Sequence, residues 1–101
     1  MRLMKTIKEW QEYIREWAEE KGFTWTKDDI DTVLLRIHSE VSEASEDARD
    51  LKWNHIGEEL ADVFIRLADA CEVLGIDLEN EVIKKMKINE TRPRLHGRAR
   101  R

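Results

Sequence analysis

Apolar residues recur along this chain at three- and four-residue steps, the spacing of one helix face, over four successive stretches. Residues 5–21 place Trp10, Ile14 and Trp17 on one side and Glu9, Glu12, Arg15, Glu16, Glu19 and Glu20 on the others, which predicts an amphipathic helix anchored by its two tryptophans. Thr6, with Glu9 three positions on, has the spacing of a capping box, and Gly22 is a natural stop. After the connection Phe23-Thr24-Trp25, a second helix is expected from near Lys27 to about residue 50. Thr26 would cap it, Asp28 and Asp29 suit its first turn, and Ile30, Val33, Leu34, Ile37, Val41, Ala44 and Ala48 form its stripe. Residues 51–55 break the pattern and read as a loop that carries Trp53 and His55. A third helix, roughly 56–74, has Ile56, Leu60, Val63, Phe64, Leu67, Ala68, Cys71 and Leu74 as its core side, and Gly75 ends it. Asp77 then caps a fourth, with Leu78, Val82, Ile83 and Met86 apolar. With four Gly and one Pro in 101 residues, the expectation is one all-α, four-helix bundle-like domain over residues 1–101.

Two of these helices carry carboxylates three residues apart, Glu40/Glu43 and Glu59/Asp62. A three-residue step turns about 300° and rises about 4.5 Å, so each pair projects from one side of its helix. Both pairs border the apolar stripes, which predicts half-burial at a helix–helix seam where four carboxylates converge. Such a cluster is tolerable beside a cation, and hard oxygen donors at a partly open site suit Mg²⁺, with Mn²⁺ a possible substitute. In a chain that is 40% charged, the competing reading of any one pair is a solvated helix face.

Charge sharpens this picture. The net charge of −4 hides five arginines and no acid in residues 92–101, leaving 13 basic against 22 acidic side chains in the rest. An acidic body with a basic tail argues against a duplex DNA binder and suits a small phosphorylated ligand. Lys85, Asn89 and Arg92 follow a four-then-three step, so they can share a face as an anion-binding edge. Trp25, in a connection, is a candidate for stacking on a nucleobase; Trp53 and His55 could reach a substrate, with a loop tryptophan that clamps the bundle end as the competing reading. A lone Cys71 within an apolar stripe reads as a small buried hydrophobe. His38 reads as a polar neighbour rather than a ligand. No apolar run approaches 18 residues and the N-terminus turns at once into a mixed polar helix, so a cytoplasmic protein without a membrane partner is expected. Glu-x-x-His, a Gly-rich phosphate loop and zinc-type Cys/His spacing are all missing from the sequence.

The run Ser39-Glu40-Val41-Ser42-Glu43 followed by Glu59-Leu60-Ala61-Asp62 resembles the MazG-like all-α nucleotide pyrophosphohydrolases, whose signature is Glu-Glu-x-x-Glu and then Glu-x-x-Asp. The tail is similar as well: Lys85-Met86, Asn89, Arg92-Pro93 and His96-Gly97 match the way the group ends its last helix. The departure is Ser39, where the strict motif has Glu; the four metal-binding positions are kept. The likeness runs from Trp10 to Gly97. It implies Mg²⁺ held by Glu40, Glu43, Glu59 and Asp62, one of these glutamates serving as base. The phosphates would meet Lys85, Asn89 and Arg92. The implied reaction is hydrolysis of (d)NTP to (d)NMP and pyrophosphate in nucleotide-pool housekeeping, by a homodimer or tetramer. Two other readings stand beside it: a helical interaction module with a solvated acidic face, and a nucleic-acid-associated protein that uses the arginine tail.

Overall fold

Local signals set the helix ends. In the computed structural model, which describes residues 4–94, the elements are α1 (Ile7–Glu20), a short 3₁₀ turn (Lys27–Asp29), α2 (Ile30–Arg49), α3 (Trp53–Leu74) and α4 (Leu78–Glu90). No strand occurs among the described residues, so the all-α expectation holds. The predicted caps are in place. Thr6 and Glu9 form a reciprocal capping box, and Asp77 accepts from Asn80 N–H. Gly75 ends α3 at φ 73°, a left-handed conformation that costs glycine little.

Three boundaries differ from expectation. Thr26 does cap, but it caps the 3₁₀ turn, with Asp29 completing the box, and α2 proper starts only at Ile30. The predicted loop 51–55 shortens to a tight reversal, because Leu51 itself adopts φ 59° and so turns the chain within one residue. Trp53 and His55 therefore lie in the first turn of α3, with His55 N–H bonded to the Lys52 carbonyl. At the far end Arg92 lies beyond α4, in a turn where its N–H meets the Asn89 carbonyl; it does not continue a helical face. His96, Gly97 and most of the basic tail lie outside the described residues.

α3 is the central helix, packed on α2 along one side and on α1 along another. The buried apolar set is Ile14, Ala18, Val33, Ala44, Ala68, Ala70 and Cys71, which confirms Cys71 as core. Alanine at four of these positions lets helix backbones approach closely but contributes little apolar area, so hydrophobic stabilisation within one chain is thin.

Polar groups fill the rest. Gln11, fully buried, donates to the Ile76 carbonyl at 2.8 Å and accepts from Leu78 N–H at 2.9 Å, so α1 clamps the α3–α4 turn. Arg15, which the helical pattern puts on the solvent side, is buried instead. It pairs with Asp69 on α3 at 3.2 Å and donates to the Phe23 carbonyl, fixing the chain where it leaves α1. Trp10 and Trp17 are consequently not core anchors: Trp17 stays 43% exposed, and both tryptophans line an open groove of about 530 Å³ with Tyr13 and Phe64. Leu34, Val41 and Leu60 also remain about half exposed, as do Val82, Ile83 and Met86 on α4, which has no buried residue. Their stripes are real, but a single chain has too few helices to cover them.

Candidate metal centre

The antiparallel turn between α2 and α3 brings the end of one helix against the start of the other. Glu43 meets Glu59 there, and Glu40, one turn earlier on α2, meets the next turns of α3. Carboxylate oxygens of Glu40, Glu43 and Glu59 come within 4.8 Å of one another. Glu40 and Glu59 are half-buried as the stripes predict, but Glu43 and Asp62, the other member of each pair, are exposed. Asp62 stands outside this trio. It is near enough for its charge to act on Glu59, yet it lines the neighbouring cleft.

Crowding shows in the proton affinities. The Glu40 carboxylate beside Glu43 pushes the Glu43 carboxyl above the ordinary range. Loss of solvation raises Glu59, and the charge of Glu43 adds to it. Both shifts mark a site short of positive charge. One cation does reach it: Arg66, one turn beyond Asp62 on α3, places Nε 3.2 Å from Glu40 Oε1. Converging carboxylate oxygens on an open, electron-rich rim fit a hard divalent cation better than a soft one.

Beside the trio lies a cleft of about 330 Å³ between α1, α2 and α3. Trp17, Phe23 and Trp25 supply aromatic surface, and Arg36, Asp62, Arg66 and Asp69 supply charge. Arg36 sits 5.8 Å from the Trp25 ring centroid, within cation–π range. Asp69 forms the cleft's inner acid; burial raises its carboxyl, and the Arg15 charge partly offsets that. Trp25, singled out from the sequence, is thus in the cleft, whereas Trp53 is 63% exposed and lines neither cavity.

The expected phosphate edge lies on α4 and just beyond its end. α4 packs on α1 and has no comparable packing on α2 or α3. Lys85 is exposed, and neither it nor Arg92 makes an ion pair among the described residues; the Asn89 amide donates to Met86 Sδ at 3.8 Å. His38 is exposed, as a polar neighbour would be. Sequence reasoning missed Arg66, Arg36 and Asp69. Only Arg66 left a trace, four residues after Asp62, the spacing of a helical ion pair.

No family model matches the chain, and neither a curated protein nor a solved structure matches it. None of the described helices is long and apolar enough to cross a membrane.

Proposed function

We propose that this chain is a Mg²⁺-dependent nucleoside triphosphate pyrophosphohydrolase of the MazG-like kind. The observation that carries the reading is the convergence of Glu40, Glu43 and Glu59 at a half-open helix seam, with an aromatic and charged cleft directly beside it. In this reading the three glutamates, with Asp62 from the cleft wall, hold the cation, for which Mn²⁺ can substitute. Bound there, the ion neutralises phosphate charge and acidifies the attacking water. Glu43, the most open of the trio and raised in proton affinity, is the group best suited to accept that water's proton. Attack at the α-phosphorus releases pyrophosphate and leaves the monophosphate. The base lies against Trp25 in the cleft.

Lys85, Asn89 and Arg92 neutralise the phosphates in this scheme, supplied from a second copy in a homodimer or tetramer. The half-exposed Leu34, Val41, Leu60, Val82, Ile83 and Met86 support self-association, since burying them is what one chain fails to do. The same exposed surface favours one alternative, a helical interaction module whose acidic face is only solvated. Pyrophosphate release across a panel of nucleoside triphosphates, with Mg²⁺ and with EDTA, separates the two. Release that depends on Mg²⁺ and disappears in Glu59→Gln supports the enzyme; no release with any nucleotide leaves the module.

A further inference from the structure

We propose that Arg66 is a built-in counter-cation of the carboxylate trio, displaced from Glu40 when a divalent ion binds and thereby handed to the phosphates of the substrate in the adjoining cleft. This rests on the metal-centre reading above and assigns that centre a residue and an order of binding. Arg66 is the one described side chain that both pairs with a member of the trio and lines the cleft. Its Nε is held by Glu40, and among the described residues its guanidinium makes no other hydrogen bond or ion pair, so the donors on its η nitrogens are unspent.

A divalent ion and a guanidinium compete for the same carboxylate. Once the ion neutralises Glu40, the attraction that holds Arg66 weakens and the two cations repel. The freed side chain has few protein acceptors nearby. Asp69, in the same cleft, is already paired with Arg15, and Asp62 is claimed by the cation in the reading above. A phosphate group matches the guanidinium fork and completes it. Ion binding should therefore precede tight nucleotide binding. The side chain is 39% exposed, so it can swing without opening the core.

The test uses the full chain, Mn²⁺ as the probe ion followed by its paramagnetic resonance signal, and the variants R66M and R66K. A control, R49M, removes the same charge from the exposed end of α2, where among the described residues Arg49 bonds only Ser45. With its competitor gone, R66M should bind Mn²⁺ about tenfold more tightly than wild type. The same variant should melt lower than wild type in EDTA, and its KM at saturating metal should rise roughly ten- to a hundredfold. R66K keeps the charge without the fork, so it should bind Mn²⁺ as wild type does, with an intermediate KM. R49M should change none of these. A residue with a merely structural role would weaken ion and nucleotide together, and opposite movement of the two is the signature sought. Mn²⁺ affinity in R66M that is unchanged or lower, or equal tightening in R49M, overturns the proposal. Wild type that binds Mn²⁺ while R66M is unaltered removes Arg66 alone; wild type that binds no Mn²⁺ removes the metal centre with it. Should R66M fold poorly, R66Q takes its place with the same expectations.

Discussion

Two charged clusters lie along α3 and are built on opposite rules. Near its C-terminal half, Asp69 is buried against Arg15, and Gln11 sits one turn away with both ends of its amide bonded. Near its N-terminal half, Glu59 joins Glu40 and Glu43 with a single arginine among three acids. The first buries one unlike pair, Arg15 with Asp69, and reaches the surface at Glu19. The second gathers like charges and stays open. A buried unlike pair ties helices together, whereas an open group of like charges repels itself.

Removing charge should therefore have opposite consequences at the two ends of α3. The largest effect is expected from Arg15→Met, which strands Asp69 as a buried, unpaired acid and should cost about 3–5 kcal/mol in denaturant unfolding. Replacing both partners by apolar residues should recover much of that loss; no recovery would mean that Arg15 acts mainly through the Phe23 carbonyl.

On the proposed function, Glu59→Gln at the open cluster should lower pyrophosphate release by roughly two orders of magnitude. In EDTA the same variant should melt at or above the wild-type temperature, since one repelling charge is gone. A clearly lower melting temperature in EDTA would show that the cluster is structural and erase the contrast.

Gln11→Leu keeps volume but leaves the Ile76 carbonyl and the Leu78 N–H unsatisfied, for an expected loss of about 1–3 kcal/mol by chemical denaturation. Amide exchange at Leu78 should speed up in step, because that N–H loses its acceptor.

The pH dependence follows from the raised carboxyls. A carboxyl whose folded-state pKa lies above its unfolded value favours the folded state when protonated. Its contribution is full below the unfolded value and is lost as pH rises through the folded one. Glu43, Glu59 and Asp69 all have this sign, so the metal-free protein should melt higher near pH about 5 than near pH about 7. Glu59→Gln should flatten part of that slope, and an unchanged slope would exclude Glu59 as a contributor. Metal affinity should run the other way and fall as the glutamates take up protons.

The smallest effect belongs to the α2–α3 reversal. Leu51 holds φ 59° with its side chain 69% exposed, so Leu51→Gly should relieve backbone strain and gain about 0.5–1 kcal/mol. A thermal melt that shows destabilisation would mean that the leucine has a packing role.

Helix positions and ends were legible because their causes lie within a few residues: Thr6 with Glu9, Asp77 with Asn80, and Gly75 at positive φ. The acid pairs were legible too, since three-residue spacing on two neighbouring helices puts each pair on one side. Sequence therefore determined an all-α chain with an acidic seam. Tertiary structure decided which faces are covered. The α1 pattern points to Trp10 and Trp17 as the inner side, but what α1 meets is the α3–α4 turn and Asp69, so Gln11 and Arg15 go inside and Trp17 stays at a groove. It also decided that Asp62 lines the cleft, that Arg66 reaches Glu40, and that α4, which carries Lys85, packs on α1. Periodicity states how apolar a face is; only a partner many residues away states whether that face is buried, paired or left open.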